Sequence, residues 1–262
     1  MPSLPELEVY QQQFTRELVG RSIKQIEVFE YRVVRTELGV LTSHLVGHKL
    51  AAISRYGKWL IWDTGGSAQL VLHLGLTGKL TLSPAKEKLP SSSALALHFD
   101  NGLRLVLADQ RKLGKVYIRK FADLKSEKKL GPDLLELNRQ DFVEAFQGKQ
   151  RAARDVLMDQ KIIAGIGGKY ADEILWQAKL HPHAKLDSLT AAALGRLYDL
   201  TLSVTKKAIA LDADVERFPD DWLIPHRRAD KTCPRCGTEL VEHSSIFHCP
   251  RCQPAPNPYR RG

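Results

Sequence analysis

The sequence predicts an α+β protein: one N-terminal helix, an antiparallel β sandwich or barrel, a helical region, and a small cysteine hairpin near the C-terminus. Three observations carry this. Between Ser22 and about Lys120 the chain is a succession of short alternating or apolar runs, from Asp141 onward the apolar spacing turns helical, and all four cysteines fall within twenty residues. Strands that dense without intervening helices favour antiparallel closure over a parallel sheet. At 262 residues the chain also exceeds the ~250 at which a single core stops growing, so two domains are expected.

Taken in order, Pro5 suits a first helical turn, and Leu7, Tyr10, Phe14 and Leu18 recur at helical spacing until Gly20, predicting a helix over 5–19. Strands follow in "IKQIEVFEYRVVR", "HKLAAISRYGKWLIWD", "AQLVLHLG", "GKLTLS", "ALALHFDNGLRLVLAD" and "KVYIRK". Asn101-Gly102 between two such runs predicts a type I′ hairpin. A charged segment containing Gly131-Pro132 separates these strands from the helical stretches "DFVEAFQ", "RAARDVLMDQ", "KYADEILWQAKL" and "SLTAAALGRLYDLTLSVTKKAIAL". The expected division is 1–125 for the helix and β domain, 126–138 for a linker, 139–225 for the helical domain, and 226–262 for the hairpin and tail. No repeat and no low-complexity tract interrupts it.

Lys and Arg outnumber Asp and Glu by 39 to 30, giving a formal charge of +9 spread along the chain, which favours a polyanionic partner. No run approaches ~18 apolar residues, and no basic segment followed by an apolar run opens the chain. A soluble intracellular protein, cytoplasmic or nucleoid-associated, is expected, and cysteines confined to one module suit a reducing compartment.

Four features carry chemistry. Cys233-Pro-Arg-Cys236 and Cys249-Pro-Arg-Cys252, twelve residues apart, can close a four-thiolate site around Zn²⁺; with no open position that metal is structural. Arg227, Arg228, Lys231, Arg235 and Arg251 around it can press the module onto phosphates. Gly165, Gly167 and Gly168 form a turn between two helices whose amides can receive a phosphate, although such turns are more often plain connections. Lys58, His73, Arg111 and Lys112 sit at strand ends, where each alone reads as a solvated residue. Pro2, once Met1 is removed, is a secondary amine with an unperturbed pKa near ~8, and its attack on an aldehyde-like carbon gives an iminium that is cationic without protonation. The plainer reading is that Pro2 only starts the helix.

In combination, the N-terminal Pro with "LPELE" behind it, "GKWL", "HLGLTGKL", "ADQRKLG", "LMDQKIIAGIGGKYADEILWQAKLHP" and "CPRCG…FHCPRCQ" occur in the order found in the Fpg/Nei family of DNA glycosylases, which the whole chain resembles. The resemblance implies a β-sandwich domain, a helix two-turn helix domain and a zinc hairpin, with damaged duplex DNA held between the halves by a monomer. It implies that Pro2 attacks C1′ of a damaged nucleoside, displaces the base, and forms a Schiff base from which β,δ-elimination cuts the strand. By the same resemblance Lys58 contacts phosphate beside the lesion and His73 belongs to the DNA-facing surface. Leu76 stands where many members have Met, and Arg111 and Leu113 match the residues that enter the duplex as the nucleotide flips out, which offsets an unstacking cost of roughly a few kcal/mol.

Three positions depart from the family pattern. The glutamate that follows the proline is Ser3, which cannot act as a carboxylate; Glu6, Glu8 and Glu173 are the candidates to replace it. The phosphate-binding asparagine is Gly168, followed by Lys169, and the phosphate-gripping arginine of the zinc hairpin falls at Ser244. "RFPDDWLIPHRRADK" is also short for a lesion-capping loop, so a preference for oxidised purine is not supported. Three readings remain: a glycosylase with abasic-site lyase activity, a lyase acting only on pre-formed abasic sites, and a non-enzymatic binder of damaged DNA.

Overall fold

The computed structural model describes residues 1–228 and 230–255, so the end of the predicted tail, 256–262, lies outside the described residues. The chain forms two compact units, Met1–Lys129 and Leu130–Gly262.

The first unit opens with α1 (Leu4–Leu18), whose Leu7, Phe14 and Leu18 are buried on one face. Two four-stranded antiparallel sheets follow. One runs β1-β6-β7-β5, from β1 (Ile23–Val28), β5 (Lys79–Pro84), β6 (Ser93–Phe99) and β7 (Leu103–Ala108). The other runs β2-β3-β4-β8, from β2 (Ala52–Tyr56), β3 (Trp59–Asp63), β4 (Gln69–His73) and β8 (Lys115–Arg119). Leu80, Leu95, Leu97, Leu105 and Leu107 from the first sheet share one core with Ile53, Leu60, Trp62, Leu70, Leu72 and Val116 from the second, so the unit is a sandwich. α1 closes it, with Phe14 meeting Trp62 edge-on at 6.0 Å between ring centroids. The short α2 (Leu38–Leu45) and α3 (Phe121–Lys128) complete the unit.

The β6–β7 hairpin corrects the predicted type I′ turn. Gly102 has φ +78°, but Asn101 is not in the left-handed region, and three residues connect the strands. Gly102 N–H donates to Phe99 O at 3.2 Å and Leu103 N–H to the Asn101 side chain at 3.2 Å. This is a type I turn completed by a left-handed glycine, which the longer loop requires. The two-residue turn with positive φ at both positions lies instead at Ser244 (+50°) and Ser245 (+66°).

In the second unit, α4 (Arg139–Phe146) packs on α7 (Ala191–Ala210) through Phe142, which stacks on Phe146 and meets Tyr198 edge-on. Between them, α5 (Ala153–Met158) turns into α6 (Gly168–Gln177). The connection is braced by Gln160: its side chain accepts from Gly165 N–H at 3.0 Å and donates to the carbonyls of Met158 and Ile166. The terminal hairpin of β9 (Val241–His243) and β10 (Ile246–His248) rests on α6 through a cluster of Trp176, Leu223, Cys233, Leu240 and Cys249. No helix among the described residues is long and apolar enough to cross a membrane.

Candidate active site and cysteine hairpin

In the first unit, α1 lies along β2. The Gln11 amide donates to Ile53 O at 3.0 Å and Arg55 Nε to the Glu8 carboxylate at 2.5 Å. Residue numbers fall along the helix as they rise along the strand, so the N-terminus of α1 arrives beside the Gly57-Lys58 turn between β2 and β3. There Ser3 is the N-cap of α1, fully buried and extended, and its N–H donates to the Glu6 carboxylate at 2.8 Å. Half-buried Pro2 precedes it. Lys58 is 5% exposed, and burial pushes its ammonium down to about 8 while the Glu6 charge draws it back up.

Of the three carboxylates considered as substitutes, Glu6 is therefore the one beside Ser3. Glu8 is engaged by Arg55. Glu173 belongs to the second unit, is fully buried, and accepts from the Gln177 amide at 2.7 Å and Ile224 N–H at 2.8 Å. Burial raises its carboxyl to about 7, but both oxygens are spent on folding that unit. Ser3 itself has a structural role that the motif Ser3-Leu4-Pro5-Glu6 carries: serine with glutamate three residues on is the signature of a reciprocal helix cap.

His73 ends β4 with its ring 4.7 Å from that of Trp59. Burial, then the charges of Lys58 and Lys115, push its pKa down to about 4. Its Nδ1 accepts from Gly75 N–H at 3.2 Å, so the imidazole is neutral with its proton on Nε2 and presents a hydrogen-bond donor rather than a charge. Leu76 and Leu113 are 40% and 42% exposed, and Arg111 is exposed beside them. Their loops are packed back to back: a Cβ on Gly75, which has φ +62°, would lie 2.6 Å from the Leu113 carbonyl carbon.

Asp109, which sequence reasoning passed over, ties these loops together. Its carboxylate is 1% exposed and accepts from the Thr77 hydroxyl at 2.5 Å, Gly114 N–H at 2.7 Å and Arg111 N–H at 3.3 Å. The partners in separate loops gave no local signal. A fully exposed loop would hold its leucines loosely; this one presents them on a fixed frame.

In the second unit, the Sγ atoms of Cys233, Cys236, Cys249 and Cys252 all lie within 4.8 Å of one another and can hold a metal ion. Trp176 Nε1–H donates to Cys233 Sγ at 3.3 Å, Arg235 stacks 3.9 Å over the Trp176 ring, and Gln253 links Cys249 N–H to Leu180 O. The module is thus fastened to α6. Gly168 is the first residue of α6 after the Gly167 N-cap, while the Lys169 ammonium lies 4.9 Å from the Tyr170 ring centroid and 5.8 Å from that of Phe218. Ser244 occupies the hairpin tip.

A carboxylate of α6, Asp172, is fully buried and joins three segments. It accepts from Arg154 Nε of α5 at 2.6 Å, from Arg227 Nη2 at 2.7 Å, and from Phe247 N–H of β10 at 3.2 Å. None of these partners is near it in sequence.

The chain thus joins a β sandwich opened by a capped helix, with Pro2 at its head, to a helical unit that carries a glycine-rich turn and a four-cysteine hairpin. Known proteins place it further. The profile described as formamidopyrimidine-DNA glycosylase N-terminal domain matches residues 1–116, and that described as formamidopyrimidine-DNA glycosylase H2TH domain matches 130–220. The formamidopyrimidine-DNA glycosylase of Acidothermus cellulolyticus is 34% identical over 98% of both chains, and that of Lactococcus lactis subsp. lactis 31% identical over 97% of this chain and 99% of its own. Among solved structures, the Lactococcus lactis enzyme bound non-covalently to DNA containing an abasic site superimposes with a TM-score of 0.85 at 28% identity, covering 97% of this chain and all of its own. A mutant of that enzyme bound to Fapy-dG containing DNA gives 0.87 at 27% identity, with the same coverage. The chain belongs to the formamidopyrimidine-DNA glycosylase family.

The Lys58 environment yields a pH prediction. A lysine whose pKa is about 8 loses its charge as pH rises through 8, where an ordinary lysine at 10.5 stays charged. DNA affinity measured as a function of salt should therefore show a slope smaller by about one unit at pH 9.5 than at pH 7, and Lys58→Met should remove the difference. The same shift costs stability below pH 8, relieved as pH rises from about 8 to 10.5, because over that window the unfolded chain binds the extra proton. An identical slope at both pH values in the wild type would show that Lys58 holds no phosphate.

Proposed function

We propose that the chain excises damaged bases from DNA and cuts the strand at the resulting abasic site, with the Pro2 amine as nucleophile. Base excision repair of this glycosylase and lyase type follows from the family; the residue assignment rests on the placement of Pro2. The amine attacks C1′, the glycosidic bond breaks with departure of the base, and the C1′–O4′ bond opens to give the iminium, which serves as electron sink for loss of the C2′ proton with expulsion of the 3′ phosphate and then loss of the C4′ proton with expulsion of the 5′ phosphate. The observation that carries this is the convergence of Pro2, Ser3, Glu6 and Lys58 at one end of α1, where Lys58 supplies positive charge for a phosphate and Glu6 is the neighbouring carboxylate. His73, Leu76, Arg111 and Leu113 serve the DNA-facing side as a donor and a wedge.

The cysteine site fits zinc. Sulfurs at the corners of a tetrahedron with Zn–S bonds of ~2.3 Å lie ~3.8 Å apart. Here Cys236 Sγ is 3.5 Å from the sulfurs of Cys249 and Cys252, and Cys233 Sγ is 3.9 Å from that of Cys252. A four-thiolate zinc supplies folding energy and no catalytic position. Chelation, or Cys233→Ser, should abolish DNA binding while leaving the β sandwich folded, read by electrophoretic shift alongside limited proteolysis. Undiminished affinity after complete metal loss would separate the hairpin from DNA binding.

The test is borohydride trapping on two duplexes, one with a pre-formed abasic site and one with an intact oxidised base. Capture on both establishes excision and lyase chemistry together. Capture on the abasic duplex alone restricts the enzyme to the lyase step, and capture on neither overturns the proposal.

A further inference from the structure

Asp172 carries one negative charge and binds two guanidinium groups, so the cluster keeps a net positive charge at the start of α6. Arg154 uses only Nε on the carboxylate; among the described residues its two Nη groups have no acceptor. Nη2 stands 3.0 Å from where a Cβ on Gly168 would be, so a side chain at the first position of α6 would press on the end of the guanidinium and shift it by a few tenths of an ångström. The N–H of half-buried Gly168 likewise has no acceptor among the described residues. Arg227, laid 4.9 Å over the Phe247 ring, reaches the hairpin tip by donating to Ser245 O at 3.3 Å. The two side chains are 12% and 18% exposed, enough to reach a ligand and too little to be freely solvated.

Such an arrangement has a direction. A guanidinium pinned at Nε presents its remaining N–H pairs as a planar fork, the geometry that matches two phosphate oxygens, and a helix N-terminus adds an amide donor and a favourable dipole.

We infer that Arg154 and Arg227, held by Asp172, form the phosphodiester clamp of the helical unit. It stands in for the side chains that Gly168 and Ser244 no longer supply, and it rests on the proposed action on DNA. Gly168 is then not a loss but an accommodation: removing the side chain at the first position of α6 admits the Arg154 guanidinium to the same anion. Charge takes over from a neutral amide, so binding through this unit should be unusually salt-sensitive for that position.

The experiment measures equilibrium binding of the full chain, purified with its metal, to a duplex containing a tetrahydrofuran abasic analogue across a salt series. Arg154→Gln and Arg227→Gln should each weaken binding about tenfold and lower the slope of log K against log salt by about one unit. Arg154→Lys, which preserves the charge beside Asp172 and therefore the fold, should keep the slope while losing affinity, because an ammonium lacks the planar fork. Gly168→Asn should weaken the wild type, whose guanidinium is in the way, yet restore affinity to the Arg154→Gln variant, whose shorter side chain leaves room. A merely structural role for Arg154 predicts no such rescue. Unchanged slopes in folded Arg154→Gln and Arg227→Gln variants overturn the clamp while leaving the function proposal standing. A wild type that fails to bind the duplex overturns both. Inorganic phosphate at the concentration used for salt should displace DNA no better than chloride at equal ionic strength; selective displacement would mean that the cluster is a site for free phosphate instead.

Discussion

Retention of Met1 should reduce borohydride capture of the enzyme on abasic DNA by at least about a thousandfold, the scale on which loss of a covalent nucleophile acts. With Met1 in place the Pro2 nitrogen is an amide, its lone pair is delocalised into the carbonyl, and it cannot attack C1′. Pro2→Gly is a milder change. It leaves a primary amine that can still condense with an open-chain aldehyde, but the imine formed can lose its proton and with it the permanent positive charge. Capture should then persist at a lower rate and fall as pH rises. The competing nucleophile is Lys58, whose pKa of about 8 makes part of it neutral near physiological pH. Full capture by the Met1-retained protein, lost on Lys58→Met, would move the chemistry from Pro2 to Lys58. Because Lys58 is 5% exposed and Pro2 is the more open of the two, the expected result is the reverse.

What could be read in the sequence was local. The alternating runs before Lys120, the helical spacing of Leu7, Phe14 and Leu18, and the two Cys-Pro-Arg-Cys pairs each put their information within a few residues, and the corresponding elements form. The hairpin at Asn101-Gly102 was legible as a hairpin, but its loop is one residue longer than the dipeptide implies, which changes the turn type. Conversely, Ser244 and Ser245 take up the left-handed pair with no glycine or asparagine to announce it. The supports of the site were not legible for a different reason. Asp109 gathers Thr77 from thirty-two residues away, and Asp172 gathers Arg227 from fifty-five. A buried carboxylate announces nothing about its partners until the chain is folded. Ser3 is the intermediate case: the cap was present in Ser3-Leu4-Pro5-Glu6 and forms, while the same serine also reads as a missing carboxylate.

That double reading sets the second large effect. Ser3→Glu should raise excision of an oxidised base by about 10²- to 10⁴-fold, the range that general acid and base assistance supplies, with little change in capture on pre-formed abasic DNA, where no base needs protonation. The introduced carboxylate would stand near that of Glu6, which accepts from the Ser3 N–H at 2.8 Å, and neighbouring like charges oppose double ionisation. Its proton would therefore be held toward neutral pH, where a general acid is most useful, with Lys58 moderating the repulsion. The substitution also has a cost. Ser3 is fully buried as the N-cap of α1, and glutamate is a poorer cap and a longer side chain, so the variant should lose about 1 kcal/mol of stability. Activity and stability then move in opposite directions, which separates catalysis from a general repair of the fold. A variant that melts lower and excises no faster would place the limiting defect elsewhere, with Glu6 already supplying what the wild type needs.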